Sequence, residues 1–108
     1  MLHKRIAVAA LSLLAAVALV ACGDGDAERE TTIHFLAFEE PTITVSAGTT
    51  VVWTNLDAGG HDVTAQDRSF ESALLRKNET FSRRFDEPGT YEYFCTIHPS
   101  MVGTVIVE

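Results

Sequence analysis

The closing stretch "GTYEYFCTIHPSMVGTVIVE", residues 89–108, limits what this chain can fold into more than any other. Tyr91, Tyr93 and Cys95 alternate with Glu92 and Phe94, and Met101, Gly103, Val105 and Val107 alternate with Val102, Thr104 and Ile106. Alternation at period two is the mark of a strand with one buried face. Two strands therefore flank the short loop "TIHPS", with Tyr91, Tyr93 and Cys95 facing inward and Phe94 outward. Cys95 enters the loop, His98 lies midway and Met101 leaves it. Tyr91, soon after "EPG", has the placement of a tyrosine corner, a packing role.

The rest of the chain agrees with this pattern. "TIHFLAF", "TITVSAG", "TTVVWTN" and "TFSRRF" are alternating or rich in β-branched and aromatic residues, as strands are. Turn signals separate them: Ala47-Gly48, "NLDAGGHD", "RKNE" and "DEPG". Asn78 suits the left-handed position of a turn. Only "ESALLRKNE" has the composition for a helical turn. Short strands at this spacing predict an all-β chain, an antiparallel sandwich or barrel.

The first residues have a different character. "MLHKR" is basic, and "IAVAALSLLAAVALVA" is apolar and ends in small residues, the layout of a secretory signal. A retained membrane span is the alternative, although the run is short for the ~20 residues a span needs. "LVAC" (Leu19 to Cys22) resembles the lipobox of bacterial lipoproteins, which implies cleavage after residue 21 and a lipid on Cys22. Two acyl chains there give stable anchoring outside the cytoplasm, on the periplasmic or cell-surface side. The expected organisation is a signal peptide at 1–21, a flexible Gly-rich charged tether at 22–31 and one domain at 32–108.

Cleavage alters the charge and the cysteine count. The mature chain keeps six basic and fifteen acidic side chains, a net charge of −9. That disfavours nucleic acid as a partner and favours a protein partner with a basic docking patch; solubility alone is an equal explanation of the acidity. A Cys22–Cys95 disulfide is the simple reading of two cysteines in an exported chain. With Cys22 lipidated, Cys95 is instead a lone thiol, and a metal would give it both protection and a role.

Cys95 offers a thiolate, His61 and His98 imidazoles, and Met101 a thioether. Two histidines and a cysteine in a near-trigonal plane with a distant axial methionine form the ligand set of a blue-copper electron-transfer site. Taken singly, each has an ordinary structural role: Cys95 and Met101 as core fillers, His61 and His98 as turn residues. His34 has no partner at ligand spacing and reads as a strand histidine. Asn55, at the end of "TTVVWTN", is placed to tie the His61 loop to the Cys95 loop.

From about Phe35 to Glu108 the sequence resembles the plastocyanin/amicyanin group of cupredoxins. The likeness is carried by "GTTVVWTNLDAGGHDV", "SF…L…TFSRRF" and "GTYEYFCTIHPSMVGTVIV". It implies a Greek-key β-sandwich of seven to eight strands and a single type 1 copper on His61, Cys95, His98 and Met101. It also implies a monomer that passes single electrons to redox partner proteins. The edge of His98 would reach the surface within an apolar patch formed by Ile97 and Pro99 with Ala58, Gly59 and Gly60. Phe94 would offer a second electron path. The Cys-x2-His-x2-Met spacing is similar to the short amicyanin loop.

Other functions fit less well. A copper oxidase or reductase needs a second cluster on further histidines, often flanking the cysteine, where this chain has Phe94 and Thr96. Copper storage or delivery is the alternative to electron transfer, but such proteins carry Met- and His-rich tracts. After residue 21 this chain has one methionine and three histidines. A metal-free adhesion module would require the four-residue set to be accidental.

Overall fold

The computed structural model describes residues 27–108; the signal segment, Cys22 and the first part of the tether lie outside the described residues. Eight strands make up the fold: β1 (Glu28–His34), β2 (Ala37–Phe38), β3 (Thr42–Val45), β4 (Thr49–Asn55), β5 (Thr64–Ala65), β6 (Thr80–Phe85), β7 (Gly89–Phe94) and β8 (Val102–Val107). They form two four-stranded sheets, in the orders β2-β1-β4-β6 and β3-β8-β7-β5. No helix occurs among the described residues. The chain is all-β, as its patterning requires.

The pairing is mixed rather than antiparallel throughout. β1 runs parallel to β4, and β3 runs parallel to β8. The cause is topological. After the β1–β2 hairpin the chain crosses to the second sheet as β3 and returns as β4, which lands beside β1 in the same direction. Period-two patterning fixes which face of a strand is buried but carries no information on the direction of its neighbour.

Three further differences follow from backbone hydrogen bonding. β1 begins at Glu28, inside the segment expected as tether, because Glu28, Arg29 and Glu30 pair with Thr50, Val51 and Val52. A ladder orders polar residues as well as apolar ones. "TIHFLAF" is two strands, since the chain reverses at Phe35 and Leu36, both at positive φ (54° and 56°). "ESALLRKNE" forms no helical turn at its start, where residues 71–75 run extended, before a tight turn at Lys77 and Asn78. The Leu75 N–H donates to the His61 carbonyl at 2.7 Å, and the His61 N–H donates back at 3.1 Å. Asn78 does take the left-handed conformation, at φ 68°.

The core lies between the sheets. Ile33, Val51, Trp53, Phe85, Tyr93 and Val105 are completely buried. Trp53 is ringed by Tyr93, Phe81, Phe85 and Phe70 at centroid distances of 5.3 to 6.5 Å, a spacing that favours edge-to-face and offset contacts. Tyr93 faces Gly103 across the β7–β8 ladder. A Cβ at Gly103 would stand 2.4 Å from the Tyr93 ring, so only glycine lets the phenol cross the neighbouring strand. Tyr91 donates its hydroxyl to the Glu87 carbonyl at 2.7 Å, the expected tyrosine corner.

Candidate metal centre

His61, Cys95 and His98 meet at one end of the sandwich. One donor atom from each lies within 4.8 Å of the others. Cys95 directly follows β7 and is fully buried, on the inward face shared with Tyr93. Its backbone N–H donates to the Met101 carbonyl, and the Met101 N–H donates to the His98 carbonyl at 2.8 Å. These two bonds fold residues 95–101 into a compact loop that brings Met101, also buried, back to the start of β8.

His61 comes from a different part of the chain and is completely buried. Its backbone is held on both sides by Leu75. Its ring is held by Asp57, whose carboxylate accepts from Nε2 at 2.9 Å. A carboxylate can only accept, so Nε2 carries a proton, and in the neutral imidazole Nδ1 is then the nitrogen with a free lone pair. Nδ1 stands 3.8 Å from the Cys95 sulfur. The two imidazole rings lie 5.1 Å apart, and His98 Nδ1 is buried with no hydrogen-bond partner among the described residues.

This donor set fits a soft, redox-active ion. A thiol and two imidazole nitrogens converge in a buried space, one nitrogen with its tautomer already set and the other unsatisfied. An unpaired buried nitrogen costs stability that a metal bond would restore. Cysteine sulfur and imidazole together suit copper in either oxidation state.

Asp57 and Asp62 were not legible as site residues. Burial alone would raise the Asp57 carboxyl, but the N–H groups of Leu36 and Phe35 and the imidazole of His61 bring it below the ordinary aspartate range. Asp62, buried beside His61, accepts from the Thr96 N–H at 3.0 Å, from the Thr96 hydroxyl and from Thr64 Oγ1 at 2.8 Å. It is therefore Asp62 that joins the His61 loop to the Cys95 loop. Asn55, expected in that role, ties elsewhere: its amide donates to the carbonyls of Gly59 and Leu75, and its oxygen accepts from the Asp57 N–H, all at 2.9 Å. It braces the Asp57–Gly59 turn against the strand segment that holds His61. The only sequence hint was the acid directly after His61 paired with a threonine directly after Cys95.

His98 is half-buried and borders an open apolar groove lined also by Phe35, Leu36, Ala58 and Gly59. Phe35 and Leu36 are 81% and 59% exposed, and the sequence did not mark them as part of this surface. Ile97 and Pro99 are exposed on the loop on either side of His98. Phe94 points away from the core, with the Arg68 guanidinium 5.4 Å from its ring centroid.

Residues 26–108 match the family described as copper binding proteins, plastocyanin/azurin family. Amicyanin-alpha of Methylorubrum extorquens is 40% identical over 108 residues, covering 94% of this chain and 91% of that protein. Amicyanin of Paracoccus versutus is 36% identical over 81 residues, covering 70% of this chain and 61% of that protein. Among solved structures, a reduced amicyanin with a tryptophan-to-tyrosine substitution superposes with a TM-score of 0.72 at 33% identity, over 77% of this chain and 84% of that one. A Cu(I) amicyanin with a methionine-to-alanine substitution gives 0.69 at 34% identity, over 73% and 80%.

Proposed function

The chain belongs to the plastocyanin/azurin family of copper binding proteins, and from that premise we propose that it carries single electrons between redox partners outside the cytoplasm. The copper ligands are His61, Cys95, His98 and Met101. Copper, when bound, supplies a one-electron Cu(II)/Cu(I) couple. The observation that carries this reading is the convergence of donor atoms of His61, Cys95 and His98 within 4.8 Å, with His61 and Cys95 buried and His98 half-buried.

The residues explain why such a couple would be fast. His61 and the 95–101 loop are each fixed by hydrogen bonds that do not depend on a metal, so the site needs little rearrangement on electron transfer. Met101, buried just before β8, would hold the copper through its thioether as the weakest of the four donors and so would tune the potential. His98 connects the buried sulfur to the apolar groove, where a partner can dock over a small area, below ~1,200 Å² in total as weak redox encounters do. The protein acts as a monomeric carrier, not an enzyme, and a partner with a basic rim complements its acidity. Cys22 bears the lipid that holds it to a bacterial membrane, a reading supported by the basic start, the apolar run and "LVAC".

Voltammetry of the copper-loaded protein tests the assignment. A reversible one-electron wave, with copper retained against a Cu(I) chelator, is the expected result. An irreversible response with rapid loss of copper to the chelator would instead indicate copper delivery.

A further inference from the structure

Phe35 and Leu36 form a two-residue hairpin turn with positive φ at both positions. Turns of this kind are the province of asparagine and glycine, because side chains crowd the backbone there. Here both residues are large, apolar and exposed, so burial does not offset the crowding. What the turn does have is an acceptor for its backbone. The Phe35 N–H donates to Asp57 Oδ1 at 2.8 Å, and the Leu36 N–H donates to Asp57 Oδ2 at 2.9 Å. Oδ2 also accepts from His61 Nε2 at 2.9 Å. One carboxylate thus holds a strained turn on the rim of the apolar groove and sets the tautomer of a buried ligand. Leu36 and His61 share the same oxygen.

We propose that Asp57 is a positioning residue that couples the exposed Phe35–Leu36 turn to His61, so that contact at the turn alters the redox balance of the centre. The inference rests on the copper reading for its second half only; the link between turn and imidazole exists without metal. A change in how tightly the turn holds Oδ2 changes how strongly His61 Nε2–H is held, and hence the donor strength of Nδ1. Coupling of this kind is reciprocal: oxidation state must alter the opening of the turn by the same factor as the turn alters the oxidation state.

The test has one arm without copper and one with it. In the copper-free full chain, hydrogen exchange of the segment 33–38 is compared between wild type and Asp57→Ala, with the His61 tautomer read by nitrogen NMR. We expect exchange at least about tenfold faster in the variant and loss of the pure Nε2–H tautomer, since both turn N–H groups and Nε2 lose their charged acceptor. In the copper-loaded protein, reduction potentials of wild type, Leu36→Gly, Asp57→Ala and the double variant form a cycle. Leu36→Gly relaxes the turn while keeping its N–H. We expect it to shift the Cu(II)/Cu(I) affinity ratio about fivefold, the low end for linked sites, or roughly 40 mV at 59 mV per tenfold for one electron. That shift should vanish in the Asp57→Ala background. If Asp57→Ala does not fold, Asp57→Asn, which keeps the volume without the charge, takes its place in both arms. Equal Leu36→Gly shifts in both backgrounds, or no shift in either, would overturn the coupling, as would unchanged exchange in the copper-free variant. A wild type that binds no copper would sink the electron-transfer reading, while the copper-free arm still decides whether Asp57 links turn to imidazole.

Discussion

At the residue scale, two acids that the sequence did not advertise support the donor set: Asp57 holds the His61 ring, and Asp62 holds the residue that follows Cys95. Asp62 is the clearest case, because its carboxylate ties residue 96 to the strand that follows His61. Asp62→Ala removes that tie, and copper affinity is expected to fall about 10–100-fold, as for other outer-shell losses. Competition with a calibrated chelator measures it. Met101→Ala is expected to keep copper, since the three stronger donors remain, but to shift the potential; complete loss of binding in that variant would contradict an axial role. The meeting of His61, Cys95 and His98 was legible, because the three stand in the order and spacing of a known ligand set although each alone has an ordinary structural role. Asp62 was not, because a hydrogen bond across 34 residues leaves no periodic trace. Asp57 and the true contacts of Asn55 were not, because they lie in irregular loops where no period operates.

At the element scale, strand identity was readable and strand direction was not. The alternation in β4, β7 and β8 reflects burial on one side, which any half-buried strand must show. The parallel β1–β4 and β3–β8 pairs follow from crossovers between sheets, which composition does not record. The turn at Phe35–Leu36 was hidden for a different reason: its N–H groups bond to Asp57, more than twenty residues away, and neither residue in it is a usual turn former. Gly103→Ala tests the β7–β8 approach. The added methyl would collide with the Tyr93 ring, and a loss of about 1–3 kcal/mol is expected, as for overpacking, read from urea unfolding. Arg29 of β1 and Glu40, just before β3, form an exposed ion pair, and the Arg29 guanidinium holds the Glu40 carboxyl below its ordinary value of 4.5. The folded state therefore binds fewer protons than the unfolded one in this range, so the contribution is present above 4.5 and is lost as pH falls below it. Glu40→Gln should cost under about 1 kcal/mol at neutral pH. Its urea midpoint should converge on that of wild type as the solution is acidified.

At the scale of the whole molecule, the sandwich separates support from function. The aromatic cluster around Trp53 and Phe85 supplies stability between the sheets, while the donor set occupies one end and depends on that scaffold for its geometry. Since His61 and the 95–101 loop meet only in the folded chain, metal binding must stabilise folding. Copper at a thousandfold excess over Kd adds about 4.1 kcal/mol. At about 4–8 °C per kcal/mol for a domain of this size, Tm should rise by roughly 15–30 °C on loading. Calorimetry with and without a chelator would show it. The central claim is tested most directly by titrating the purified protein with Cu(II) and following visible absorption and electron paramagnetic resonance. An intense thiolate-to-copper band that saturates at one copper per chain, bleaches reversibly with ascorbate and is absent in Cys95→Ser is the predicted result. A pale Cu(II) species, or binding that survives Cys95→Ser unchanged, would contradict it.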